Sequence, residues 1–232
     1  MIRAIFFDMG GTLDGGVHWL ERFLALYADF GVELSRETIR QAFDAAELRS
    51  TTDPEIAATD LAAMVSLHVK WQLTHLGLTE PGLAERLVEK FIAPVRVAAA
   101  ANRQLLADLI ELGFQLGVVS NGCGNVAKLC ADFGYAPYLS VIIDSRRVGL
   151  YKPDPAIFIH AAKAIGRDAQ TILMVGDSFA RDVRPAKAAG MMTAWLDNTG
   201  REHCPEPPLV DFRLRDLAEL PELLTASSHA SV

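Results

Sequence analysis

Short apolar runs of β type punctuate two stretches of the chain. They fall at residues 5–7, 114–119, 139–143, 171–175 and 192–196. Between the later runs, apolar residues recur at helical spacing, as with Leu105, Leu106, Leu109 and Ile110 ahead of Gly113. Strands that alternate with helices predict a parallel sheet covered on both faces. Each run should therefore be buried on both sides.

Residues 16–98 have a different texture, with helical periodicity and no convincing strand. Trp19, Leu20, Phe23, Leu24, Tyr27 and Phe30 form a stripe that stops at Gly31. Ser35 is placed to cap a second helix carrying Ile39, Phe43 and Leu48. Asp53-Pro54 reads as the start of a third, with Leu61, Met64, Val65, Leu67, His68, Trp71 and Leu76. Thr79-Glu80-Pro81 opens a fourth, and Pro94 should close the block. The predicted organisation is an α/β domain from residues 1–15 and 99–232, with an all-helical insert at 16–98. Trp19, Phe23, Tyr27 and Trp71 are expected to pack the insert. The tail from Ser227 is expected to fray.

Composition narrows the function classes. The net charge of −7 disfavours a nucleic-acid footprint, which needs a basic face. No run of about 18 apolar residues lacks a charge, so no membrane span is expected. Cys123, Cys130 and Cys204 are odd in number and form no CxxC pair, which predicts free thiols, no zinc site and a reducing cytoplasm. A small anionic ligand stays compatible with the acidic balance, because one metal ion and one lysine reverse a local field.

Four polar groups fall where strands should end. Asp8 follows the first run and opens Met9-Gly10-Gly11-Thr12-Leu13. Ser120-Asn121-Gly122 follows the second. Lys152 lies in Gly149-Leu150-Tyr151-Lys152-Pro153-Asp154-Pro155. Gly176-Asp177-Ser178, with Asp182 beyond it, follows the fourth. Parallel α/β sheets bind ligands at the carboxyl ends of their strands, so all four should share one crevice. Asp8 and Asp177 are hard oxygen donors suited to Mg²⁺, and Asp182 suits a metal-bound water. Ser120 and the N–H groups after it can meet phosphate oxygens. Lys152 can face both Asp8 and a phosphoryl group.

In order and spacing these segments resemble the four motifs of the haloacid dehalogenase (HAD) superfamily, over nearly the whole chain. The insert resembles that family's C1 helical cap. The resemblance implies a doubly wound, Rossmann-like core and a Mg²⁺-dependent phosphatase. Asp8 would be the nucleophile, assisted by Ser120 and Lys152. Asp8, the Gly10 main chain, Asp177 and Asp182 would serve the metal, and Gly11, Thr12, Asn121 and Gly122 the phosphate. The expected partner is a small phosphorylated metabolite, with the protein a monomer or homodimer.

One position departs from the pattern. The family's phosphatases carry a second aspartate, the general acid and base, where this chain has Gly10. A slow or specialised phosphatase is therefore expected, with Asp14, His18 or solvent as substitutes for the acid. The alternatives are a non-catalytic phosphate-ligand or protein-binding relative, or a phosphonatase- or dehalogenase-like hydrolase. A phosphonatase would need a lysine from the insert, where only Lys70 and Lys90 are available.

Overall fold

A computed structural model describes residues 1–197, 204 and 206–229. Its centre is a six-stranded, fully parallel sheet in the order β3-β2-β1-β4-β5-β6. The strands are β1 (Ala4–Phe7), β2 (Gln115–Ser120), β3 (Leu139–Asp144), β4 (Ile172–Gly176), β5 (Met192–Leu196) and β6 (Phe212–Leu214). The five expected runs all become strands, and β1, bearing Asp8 at its end, lies between two neighbours in the interior of the sheet. The sheet adds β6, whose three residues hold a central arginine and carry too little apolar pattern to be read in advance.

Alternation along the strands builds two cores. Ile5 and Phe7 join one cluster with Leu116, Val118, Leu173 and Val175. Ala4 and Phe6 join the other with Ile172 and Met174. On the first face pack the C-terminal half of α4 (Leu83–Glu111), α5 (Val126–Asp132) and α9 (Leu220–His229). On the second pack α7 (Ala156–Ile165) and α8 (Arg184–Ala188); the short α6 (Ser145–Val148) follows β3. Two-sided burial is what a parallel sheet requires.

Between β1 and β2 the chain makes α1 (Trp19–Asp29), α2 (Arg36–Thr52), α3 (Leu61–Leu76) and the first half of α4. Ser35 Oγ accepts from the Thr38 N–H at 3.1 Å, capping α2 as expected. Two helix starts differ from the sequence reading. Asp53-Pro54 begins only a one-turn helix (Glu55–Ala58), and α3 starts at Leu61, capped by Asp60. α4 starts at Leu83, behind Gly82 rather than at Thr79. Pro94 does not close the block: it lies inside α4. A proline forfeits one backbone hydrogen bond, and here burial of Phe91, Ile92, Val95 and Ala99 around it carries the helix through. The expected boundary at 98/99 thus falls within one continuous helix.

Phe23 is the centre of an aromatic cluster in these helices, stacked on Phe91 at 4.6 Å between centroids and on His68 at 5.5 Å. Phe23, Tyr27 and Trp71 are buried there, whereas Trp19 also reaches the cavity described below. The three cysteines are free. Among the described residues no helix is long and apolar enough to cross a membrane. Helix α9 runs to His229, and residues 230–232 of the expected frayed tail lie outside the described residues.

Candidate active site

The sheet delivers its polar groups to one place. Asp8 ends β1, Ser120 ends β2, and Asp177 follows β4. Lys152, brought in after α6, is 5% exposed, and its Nζ donates to Asp8 Oδ1 at 2.7 Å and to Asp182 Oδ1 at 2.6 Å. Carboxylate oxygens of Asp8, Asp177 and Asp182 lie within 4.8 Å of one another. Three carboxylates against one ammonium leave two negative charges over. Burial opposes charging of the Lys152 amine, but the two aspartates outweigh it and hold its pKa above the ordinary value.

The aspartates are not equivalent. Asp182 is fully buried with both oxygens taken, Oδ1 by Lys152 and Oδ2 by the Ser178 N–H at 3.0 Å. Burial raises its pKa, against the pull of Lys152. Asp177 Oδ1 is buried with no hydrogen-bond partner among the described residues. Burial, then the charges of Asp8 and Asp182, pushes its carboxyl up to about 7. Its main chain is anchored, because Trp195 Nε1 donates to Asp177 O at 3.0 Å. Asp8 Oδ2 receives no hydrogen bond from the described residues and faces the cavity with its other oxygen held by Lys152. This donor set, hard oxygens with one orphaned and a twofold charge deficit, fits Mg²⁺.

The loop after Asp8 is shaped by its glycines. Gly11 is left-handed (φ 78°), and a Cβ there would come within 2.6 Å of Asp177 Oδ2. Its N–H donates to Asp14 Oδ1 at 2.7 Å, so this N–H is committed within the protein. Gly10 is ordinary (φ −73°, ψ 123°), and a Cβ there meets nothing within 4 Å. Neither sterics nor backbone demands glycine at position 10. Thr12 is buried, and its Oγ1 is a second unpartnered polar atom. Asp14, also buried, accepts from Trp19 Nε1 at 2.5 Å through its other oxygen, and Arg22 lies 3.5 Å away. Burial lifts its pKa despite these partners. Its carboxylate ties the loop to α1.

The β2 end is equally built. Asn121 Nδ2 donates to Lys152 O at 2.8 Å, and Asn121 Oδ1 accepts from Lys152 N at 2.8 Å. The Asn121 side chain therefore fixes Lys152, leaving its main chain for a ligand. At Gly122 a Cβ would collide with Val126 and Asp144. Asp144 itself accepts from Val126 N at 3.1 Å and Arg146 N at 3.0 Å.

Asp8, Gly10, Ser120, Asn121, Gly122 and Lys152 line one cavity of about 130 Å³, roofed by residues of α1, α2 and α3. The roof contains Glu47, which the sequence reading passed over, and Arg181, from the turn after β4, lines the same cavity. His18, expected as a substitute acid, also lines it. Burial, then Arg181, lowers the His18 pKa, so at neutral pH it is an uncharged ring.

Comparison with known proteins agrees with this layout. A phosphoserine phosphatase from Thermus thermophilus is 34% identical over 116 residues, 50% of this chain and 46% of that protein. The chain thus spans about half the length of that relative. A 6-phosphogluconate phosphatase from Escherichia coli is 28% identical over 236 residues, 97% of this chain and 96% of that protein. The solved L-2-haloacid dehalogenase of Xanthobacter autotrophicus shares the fold, with a TM-score of 0.62 at 20% identity over 97% of this chain and 99% of that one. The family model for haloacid dehalogenase-like hydrolases matches residues 2–190, all four polar groups included, and the chain belongs to that family.

Proposed function

We propose that this protein is a Mg²⁺-dependent phosphomonoesterase that passes the phosphoryl group of a small organic phosphate to Asp8 and then to water. The charge deficit of the crevice floor carries the reading. Three carboxylates share one ammonium, and the buried, orphaned Asp177 oxygen, whose carboxyl is raised to about 7 by burial and by Asp8 and Asp182, gives a divalent cation a place to replace its proton. Asp8, Asp177 and the Gly10 carbonyl would hold it, with Asp182, tied to Lys152 and the Ser178 N–H, adding its negative charge beside them. When bound, Mg²⁺ would offset the charge of the phosphoryl oxygens and orient the group in line with Asp8.

The protein's own groups then have defined tasks. Asp8 Oδ2 attacks phosphorus, and the ester P–O bond breaks with its electron pair leaving on the alcohol oxygen. Lys152 holds Asp8 aimed, and Asn121 holds Lys152 in place. Ser120 Oγ and the N–H groups that follow bind phosphoryl oxygens. Water next attacks the acyl-phosphate at phosphorus and loses a proton, and the bond to Asp8 breaks to restore the carboxylate and release phosphate.

Protonation of the leaving oxygen is the weak step. Gly10 supplies no acid, and both oxygens of Asp14 are occupied. His18 could serve only at a pH low enough to charge its ring, so at neutral pH solvent must serve. Esters with acidic leaving groups should therefore be turned over far better than alkyl esters. Lys70 and Lys90 are exposed and do not line the cavity, which gives a Schiff-base route no amine from the insert. Gly10 favours one second reading, a non-catalytic phosphate-binding relative. Release of phosphate from 4-nitrophenyl phosphate, with and without Mg²⁺, separates the two. Mg²⁺-dependent release that stops on chelation is expected. Binding of phosphate in Mg²⁺ without any turnover would establish the second reading instead.

A further inference from the structure

A polar chain runs through the otherwise apolar helical insert and ends at the cavity. The Tyr27 hydroxyl donates to Gln72 Oε1 at 3.3 Å. Gln72 Nε2 can only donate, so at 2.8 Å His68 Nδ1 is the acceptor. A neutral imidazole then carries its proton on Nε2, which lies 3.0 Å from Glu47 Oε1 and donates to it. Tyr27, Gln72 and His68 are fully buried, and His68 is packed between Phe23 and Phe43. Every proton in the chain points at Glu47. Such an arrangement stabilises a carboxylate and penalises a carboxylic acid, so Glu47 does not serve as the missing proton donor.

The Glu47 side chain is 50% exposed and lines the cavity roof. Burial alone would raise its pKa, but the His68 hydrogen bond, with His18 and Arg181 nearby, brings it below the ordinary value. Among the described residues no lysine or arginine reaches it within salt-bridge distance. The protein thus spends three buried polar side chains on holding a negative charge in a binding cavity, where Arg181 acts on it from a distance but no lysine or arginine among the described residues pairs with it directly. Binding sites place charge opposite the charge of their ligand.

We propose that Glu47 is a specificity-determining residue that receives an ammonium group on the leaving alcohol, so that the substrate is a small phosphomonoester bearing an amine. This rests on the phosphatase reading and adds the substrate class. Tyr27, Gln72 and His68 are positioning residues that keep Glu47 ionised and fixed.

Calorimetry on the Mg²⁺-loaded protein with propylphosphonate, 3-hydroxypropylphosphonate and 3-aminopropylphosphonate tests it. The phosphonates place one probe group at a fixed reach and need no turnover. The amine should bind about 10-fold or more tightly than the propyl compound, in line with a charge-assisted contact. The hydroxyl compound should stay within about 3-fold of propyl. Glu47→Gln should reduce the amine-to-propyl ratio to near unity. Equal binding of all three, equal gain from amine and hydroxyl, or a ratio unchanged in Glu47→Gln would each overturn the proposal. So would failure of all three to bind while 4-nitrophenyl phosphate is still hydrolysed. Absence of both binding and hydrolysis would instead remove the phosphatase reading beneath it.

Discussion

On the floor of the cavity three carboxylates crowd a single lysine; on its roof one carboxylate stands with no lysine or arginine among the described residues within salt-bridge distance. The floor groups are presented by strand ends and the turns after them, so sheet register sets their spacing. The roof group sits mid-helix on α2, and its orientation depends on a partner two turns into α3 and on the aromatic packing around that partner. In the proposed reading the floor serves a reaction common to many substrates and the roof selects a particular one. Chemistry would then rest on the central sheet, and selectivity on helices whose packing can drift without disturbing it.

Changes on the floor should act on turnover. Asp8→Asn removes the proposed nucleophile and should lower Mg²⁺-dependent phosphatase activity by at least about 10³-fold, read as kcat on an aryl phosphate. Retained turnover would break the contrast by showing that the floor is not where bonds are made. Gly10→Asp should raise kcat by roughly 10²-fold, the usual scale of a general acid, and most for poor leaving groups. Position 10 is free to accept the side chain, so an unchanged rate would mean that proton supply is already met from the roof or from solvent.

A smaller effect should appear in stability. The Asp177 carboxyl is raised to about 7, so the folded chain binds its proton more tightly than the unfolded chain does. Its contribution is complete below the unfolded carboxylate value near pH 4 and disappears as pH rises through about 7. The metal-free wild type should therefore lose stability across that window relative to Asp177→Asn. At pH 8 the variant should melt several degrees higher, since each kcal/mol moves a chain of this size by roughly 2–4 °C. Mg²⁺ should close that gap by raising the wild type alone. An equal Mg²⁺ response in both proteins would place the cation elsewhere.

The floor was largely legible in the sequence because each of its parts is local. Asp8 ends an apolar run, Ser120 and Asp177 follow others, and a parallel sheet brings such ends together. The role of Asn121 was not legible, because its bond to the Lys152 backbone joins residues 31 apart in sequence. Proline misled twice. Asp53-Pro54 and Pro94 carry strong local signals, and tertiary burial overrode the second. The roof left one trace, His68 standing within the apolar stripe of α3. A polar residue on a buried face needs a partner, but the stripe does not say that the partner is Glu47 on another helix.

Helix α4 gives the molecule one more property. Its first half lies in the insert and its second half is packed under the sheet, with Pro94 between them. At 1.5 Å per step, the 11 steps from Leu83 to Pro94 make a lever arm of about 16 Å. A tilt of only about 5° at the residue lacking its backbone hydrogen bond would carry the far end through roughly 1.5 Å, half the length of a hydrogen bond. Side chains beside that single pivot, far from any reacting atom, would then set how closely the insert approaches what lies beneath it.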